Sequence, residues 1–266
     1  MTKSDKASGY FRSGLPYNRL GHGPRPLVVF QGLTFENKPQ PGFMVFGYGS
    51  LRDDYTVYVV LRKPGLPHAY TLKDMADDYA TMIQEEFDGP IDVIGVSTGG
   101  SIVQHFAADH PDLVRRLVIH SSAYTLSDEA KQLQLRTGHL AQQGQWRQAW
   151  AVLIGTVLPH AGIMRVLSQP IVWLISALLS LSAPKDPNDL VVTVEAEDRF
   201  NFRDRLAEIT APTLVIAGDR DPFYTPALFR ETADGIPNAR LILYPGMGHP
   251  ASGKQFGQDL LAFLKE

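Results

Sequence analysis

The chain has 266 residues, 44% of them hydrophobic, and a formal net charge of −3 at pH 7. This length and apolar content are sufficient for one large buried core, and the weak negative charge, with no run of five basic residues, excludes a basic surface of the kind that binds nucleic acid. The absence of cysteine excludes disulfides, thiolate nucleophiles and thiolate metal sites.

The first half of the chain predicts strands that alternate with helices. A small hairpin is expected over residues 9–20, and apolar residues at helical spacing predict a crossover helix over residues 71–87. Four further strands are apolar on both faces, at residues 27–30, 55–61, 91–94 and 113–120. Strands of this kind, linked by helices, are typical of a parallel sheet that helices cover on both sides.

A G-x-S-x-G motif, formed by Gly95, Ser97 and Gly99, lies between the strand at residues 91–94 and a predicted helix. A serine between small residues at such a turn has a strained backbone, which exposes its hydroxyl above the sheet edge. The helix begins directly behind the serine, so its free N–H groups point toward any anion that forms there. Glycine-rich turns with a capping serine share this pattern, but the strand–turn–helix context favours Ser97 as a nucleophile.

From residue 124 to residue 200 the alternation stops and the pattern predicts only helices. These helices are expected at residues 128–140, 145–157, 162–168 and 171–181. We therefore predict a core formed by residues 1–123 and 201–266 and a helical cap formed by residues 124–200. An insertion between two halves of a parallel sheet is placed to cover its carboxyl edge, where ligands bind.

Two segments bear on membrane insertion and on cellular location. Residues 166–184 carry no charge, but Pro170 interrupts them and the unbroken part is too short to span a bilayer, so we expect a buried or pocket-lining helix and no stable membrane insertion. The polar residues 1–6 precede no apolar segment of a secretory signal, which favours a cytoplasmic location.

Two further strands, predicted at residues 213–218 and 239–244, are each followed by a loop with a candidate partner for Ser97. A serine hydroxyl needs a base that takes its proton, and the base needs an acid that fixes its tautomer. In sheets of this design the order along the chain is serine, acid, histidine. His249, in a glycine-flanked loop after the last strand, is the best base among the eight histidines.

Two aspartates are candidates for the acid. Asp219 directly follows its strand, whereas Asp221 lies two residues later, before Pro222, which stiffens the loop. We favour Asp221 as the acid and Asp219 as a turn-capping residue. Backbone N–H groups must stabilise the oxyanion, and we expect them from Thr98, directly after the nucleophile, and from Leu33.

These motifs resemble the α/β-hydrolase superfamily, specifically its single-domain esterase and lipase-like branch with a helical cap. The resemblance covers essentially the whole chain. It implies an α/β-hydrolase fold, a mostly parallel sheet with helices on both faces and a helical cap between the sheet halves. By position, Ser97 is then the nucleophile, Asp221 the acid and His249 the base. No cluster of side chains has the spacing of a metal site, so no metal or other cofactor is expected.

The chain departs from the family pattern at two loops. The family usually has His-Gly after the first parallel strand, where this chain has Gln31-Gly32. Members also often carry an aspartate after the next strand, where this chain has Arg62, Lys63, Pro64 and Gly65. The first departure bears on the oxyanion assignment at Leu33.

The reaction class follows from the nucleophile. Dehalogenases and epoxide hydrolases of this fold need a carboxylate at the position of Ser97, so hydrolysis of a small-molecule ester, lactone or thioester remains. Carbon–carbon bond hydrolases use the same triad but often have tryptophan where this chain has Pro250. A ligand-binding protein without turnover is the alternative of another class. The apolar cap favours an uncharged acyl or aryl group, and the expected substrate-binding residues are Trp146, Trp150, Trp173 and Leu174.

Overall fold

The computed structural model describes residues 6–39, 42–157 and 164–266. Eight strands form one sheet: β1 (Lys6–Tyr10), β2 (Pro16–Leu20), β3 (Arg25–Phe30), β4 (Tyr55–Val60), β5 (Ile91–Val96), β6 (Val114–His120), β7 (Thr213–Gly218) and β8 (Ala239–Tyr244). Their order in the sheet is β1-β2-β4-β3-β5-β6-β7-β8. The pairs β1–β2 and β2–β4 are antiparallel and all other pairs are parallel, so the predicted hairpin and parallel sheet are both confirmed.

The described residues also form eight α-helices, of which the last follows β8: α1 (Leu72–Glu86), α2 (Thr98–Asp109), α3 (Asp128–Gln142), α4 (Trp146–Val157), α5 (Met164–Ser180), α6 (Asn188–Asp198), α7 (Pro226–Gly235) and α8 (Lys254–Lys265). The start of α1 is determined locally, because Thr71 and Asp74 each accept a hydrogen bond from the other's backbone N–H, at 3.1 and 2.9 Å. Helices α3 to α6 all lie between β6 and β7, so the predicted helical insertion is confirmed. Its boundaries at residues 124 and 200 stay a prediction.

The sheet has a hydrophobic core on each face. One core contains buried residues of α1, α2 and α7, such as Tyr79, Phe106 and Phe229. The other contains Phe256 and Leu260 of α8. Every residue of β5 is buried because helices cover both faces of this central strand, which explains why all its residues except Asp92 are apolar or glycine.

The insertion differs from the sequence prediction in two of its helices. The helices expected at residues 162–168 and 171–181 are one helix, α5, with Pro170 inside it; residues 162–163 lie outside the described residues. Helix α6 was not predicted at all. Its buried residues lie all round the helix, so no 3.6-residue hydrophobic period marks it in the sequence: Leu190, Val192, Thr193, Val194, Ala196 and Glu197. Among the described residues, no helix is long and apolar enough to cross a membrane.

Candidate active site

Ser97 occupies the turn between β5 and α2 in a conformation that L-residues rarely adopt. Its backbone angles are φ 52° and ψ −125°, and its N–H donates to the His120 carbonyl at 3.0 Å. A positive φ at a serine is costly and persists only where neighbouring structure enforces it. Here the turn is packed tightly, because a side chain at Gly99 would collide with the Phe30 carbonyl and one at Gly100 with the side chain of Ser122.

The three residues predicted to act together are in hydrogen-bond contact. His249 Nε2 lies 3.1 Å from Ser97 Oγ, and His249 Nδ1 lies 2.7 Å from Asp221 Oδ2. The Asp221 side chain is fully buried and that of His249 is 8% exposed. In the neutral ring, this geometry places the proton on Nδ1, toward Asp221, and the Nε2 lone pair toward the serine hydroxyl.

The second oxygen of Asp221 is also bonded. Asp221 Oδ1 accepts from the backbone N–H groups of Phe223 and Tyr224, at 2.9 and 3.2 Å, which fix the carboxylate in one orientation. Asp219 points elsewhere: it is exposed, and its Oδ1 accepts from the Gly246 N–H at 2.7 Å. Asp219 therefore links the loops after β7 and β8. Of the two aspartates, Asp221 is the one that contacts His249.

The two predicted oxyanion donors flank Ser97. Thr98 is the first residue of α2, so its N–H has no helical acceptor. The loop after β3 lies directly against Ser97, because a side chain added at Gly32 would lie 3.3 Å from Ser97 Cβ. Leu33 follows in this loop and lines the same cavity as Ser97. Both residues therefore lie near Ser97, and their N–H groups stay the predicted donors to an oxyanion.

A cavity of about 340 Å³ opens at Ser97 and His249. Its other lining residues are Gln31, Gly32, Leu33, Gly47, Tyr48, Val96, His120, Gln134, Leu153, Val157, Phe223, Pro250, Ala251 and Ser252. None of these described lining residues is Asp, Glu, Lys or Arg. The cavity therefore suits an uncharged group.

His120 lines this cavity in a role that the sequence did not indicate. Its Nε2 donates to the Ala251 carbonyl at 2.8 Å, and its Nδ1 accepts from the Tyr48 hydroxyl at 3.0 Å. Burial lowers the pKa of His120 to about 3, so the ring is neutral near pH 7. His120 therefore has no ring nitrogen free to accept a proton from Ser97, which leaves His249 as the candidate base.

None of the four cap residues expected to bind substrate lines the cavity. Trp146 and Trp150 pack against Phe35, with ring centroids 5.9 and 3.8 Å apart. Trp173 and Leu174 of α5 are 59% and 55% exposed. The expectation was based on composition, and composition does not show which face of a helix turns inward. The inserted helices contribute Gln134, Leu153 and Val157 to the cavity instead.

The described residues form no candidate metal site. Within residues 6–39, 42–157 and 164–266, no three His, Asp or Glu side chains converge in a way that could hold a metal ion.

A model of the alpha/beta hydrolase family matches residues 9–255. The chain belongs to the alpha/beta hydrolase family. The α/β-hydrolase fold predicted from the sequence is thereby confirmed, and the chain is a hydrolase.

Individual relatives of this hydrolase are distant. A Mycobacterium tuberculosis protein named "Putative non-heme bromoperoxidase BpoC" is 26% identical over 249 residues, which are 88% of this chain and 90% of that protein. The pimeloyl-[acyl-carrier protein] methyl ester esterase of Neisseria meningitidis is 28% identical over 63% of this chain and 65% of its own. The crystal structure of MGS-M2, an alpha/beta hydrolase from a deep-sea metagenome library, has a TM-score of 0.79 and 16% identity, covering 100% of this chain and 97% of that one.

Proposed function

We propose that this hydrolase is a serine carboxylesterase that cleaves esters of small to medium apolar acyl or aryl groups through an acyl-enzyme. The observation that carries the proposal is the position of His249, which lies within hydrogen-bond distance of both Ser97 Oγ and Asp221 Oδ2. This arrangement has the geometry of a nucleophile, a base and an orienting acid.

The reaction follows from this geometry. Ser97 Oγ attacks the ester carbonyl carbon while His249 Nε2 takes the hydroxyl proton, and the N–H groups of Leu33 and Thr98 stabilise the oxyanion. The tetrahedral intermediate collapses when the imidazolium gives this proton to the departing alkoxide, which leaves an acyl group on Ser97. A water molecule then attacks the acyl-enzyme, with His249 again as the base, and releases the acid. Asp221 keeps the Nδ1 proton in place throughout.

The substrate class is inferred from the cavity and from one relative. A volume of about 340 Å³ without charged lining residues favours an uncharged acyl or aryl group of modest size. The esterase of Neisseria meningitidis, a distant relative, is named for cleavage of a methyl ester. The same three side chains could also serve a lactone, a thioester or a carbon–carbon bond, so the scissile bond is the part of the proposal that assays must decide.

The decisive experiment is a panel of p-nitrophenyl esters and lactones of graded chain length, assayed with wild-type protein and with Ser97→Ala. We expect p-nitrophenol release that saturates with substrate and is lost in Ser97→Ala. A folded wild-type protein that binds the esters without turnover would favour the ligand-binding alternative. Turnover that persists in Ser97→Ala would overturn the proposed mechanism.

A further inference from the structure

Arg62, in the loop after β4, is a buried cation beside the candidate oxyanion hole. The residue is 1% exposed, and its Nη1 donates to the carbonyls of Gln31 and Gly32, both at 3.1 Å. Its Nη2 donates to Thr34 Oγ at 2.8 Å. One planar guanidinium thus holds the residues on both sides of Leu33. The loops after β3 and β4 are therefore joined directly.

Glu197 of α6 is a buried carboxyl group on the other side of the same site. The residue is fully buried, and its two carboxylate oxygens accept from Thr98 Oγ at 2.7 Å and from Ser101 Oγ at 2.9 Å. The cavity-lining Gln134 also hydrogen-bonds to it. Glu197 thus holds the first turn of α2, whose first residue carries the other expected oxyanion donor.

The charges of the two side chains are coupled. Burial raises the pKa of the Glu197 carboxyl, whereas the hydrogen bonds from Thr98 and Ser101 and the charge of Arg62 lower it. Burial likewise lowers the pKa of the Arg62 guanidinium, and the charge of Glu197 counteracts this. Burying two charges is costly, and removal of one would leave the other without its opposite charge. Neither group touches Ser97, His249 or Asp221, so the proton transfers described above do not require them.

We infer that Arg62 and Glu197 are positioning residues of the oxyanion hole: Arg62 orients the loop that carries the Leu33 N–H, and Glu197 orients the turn that carries the Thr98 N–H. This inference rests on the proposed function. Because oxyanion donors act only on the charge that develops in the transition state, misplaced donors reduce kcat and leave substrate affinity largely unchanged. If Arg62 and Glu197 had only a structural role, substitutions of them would reduce the stability of the protein without selectively lowering kcat.

The test compares Arg62→Lys and Glu197→Ala with wild type. Arg62→Lys retains the positive charge but loses the planar fork that reaches three acceptors. In both variants we expect kcat for p-nitrophenyl acetate to fall about 10- to 100-fold, the range for donors displaced by roughly an ångström, with KM within about threefold. The inhibition constant of phenylboronic acid, whose serine adduct is tetrahedral and anionic, should rise by a similar factor.

A matched control removes a buried ionic contact far from the site. Asp92 is buried at the start of β5, where it pairs with Arg115, at the opposite end of the strand from Ser97. Asp92→Asn should lower the melting temperature but leave kcat and boronic acid affinity unchanged. If Arg62→Lys and Glu197→Ala are folded and behave like Asp92→Asn, the positioning role is overturned.

A milder pair of variants keeps the inference testable if both charge variants fail to fold. Thr98→Val removes only the hydroxyl that bonds Glu197 and retains the main-chain N–H, and we expect it to lower kcat about tenfold. Thr193→Val removes a hydroxyl that bonds within α6, to the Asp189 carbonyl at 2.6 Å, and should leave kcat unchanged. Equal kcat in the two variants would overturn the role of Glu197. A wild-type protein that neither hydrolyses esters nor binds phenylboronic acid would instead overturn the proposed function, and the positioning role with it.

Discussion

The substitution Asp221→Asn is expected to abolish most activity without unfolding the protein. Asp221 Oδ1 accepts two backbone N–H bonds, from Phe223 and Tyr224, and an asparagine oxygen placed there keeps both. The amide nitrogen must then face His249 Nδ1, where wild type has a carboxylate oxygen at 2.7 Å. Because that nitrogen is a donor, Nδ1 has to become an acceptor, and the imidazole proton moves to Nε2.

The size of the effect follows from this change of tautomer. With a proton on Nε2, His249 cannot accept the hydroxyl proton of Ser97, which lies 3.1 Å away. The same substitution in serine hydrolases with a triad costs about 10⁴ in kcat, or about 5.5 kcal/mol of transition-state stabilisation at 1.36 kcal/mol per tenfold. The melting temperature should stay close to that of wild type because the backbone bonds of residue 221 are retained.

The matched control is Asp219→Asn in the same loop. Asp219 accepts a single bond, from the Gly246 N–H, and an asparagine oxygen also accepts it, so kcat should stay within about twofold of wild type. The assay is steady-state hydrolysis of a p-nitrophenyl ester by both variants, with melting temperatures measured alongside. An Asp221→Asn protein with more than a tenth of wild-type kcat, or a larger loss in Asp219→Asn, would refute the assignment of the acid.

Three further predictions concern the nucleophile, the cavity and a buried histidine. Ser97→Ala and His249→Ala should each lower kcat for esters by on the order of 10³-fold or more, with unchanged melting temperatures. If either variant has a kcat close to that of wild type, the mechanism is contradicted. Leu153→Ala should raise KM severalfold for longer acyl esters, since each buried methylene is worth about 0.8 kcal/mol. Trp173→Ala should leave the chain-length preference unchanged. If Trp173→Ala changes the preference and Leu153→Ala does not, the cavity is not the acyl site. The pKa of His120 is about 3 in the folded protein and 6.5 in the ordinary, unfolded case. Below pH 6.5 the unfolded chain therefore binds a proton at this ring that the folded protein does not bind. The free energy of unfolding consequently decreases as the pH falls. Urea unfolding measures the free energy of unfolding of wild type and of His120→Gln. The difference, wild type minus variant, should decrease by about 2 kcal/mol from pH 7 to pH 5. A difference that does not change with pH would contradict the buried neutral ring.

The sequence by itself determined the parts of this protein that depend on local physics. Buried strands are apolar on both faces and amphipathic helices have a 3.6-residue period, so the parallel sheet and its crossover helices could be predicted. The glycines around Ser97 mark a turn that side chains would obstruct, and this turn indicated the candidate nucleophile. The order of serine, aspartate and histidine along the chain then indicated which loops to examine.

Only the tertiary structure decided which side chains share a space. The tryptophans of the inserted helices are compatible by composition with packing, with a cavity wall or with the surface. In the fold, Trp150 packs against Phe35 and Trp173 is exposed. Arg62 and Glu197 carry no periodic or motif signal and lie far apart in the chain. The sheet and the inserted helix α6 place one on each side of the candidate oxyanion site. Long-range packing, and not local sequence, determines where a buried charged group finds its partners.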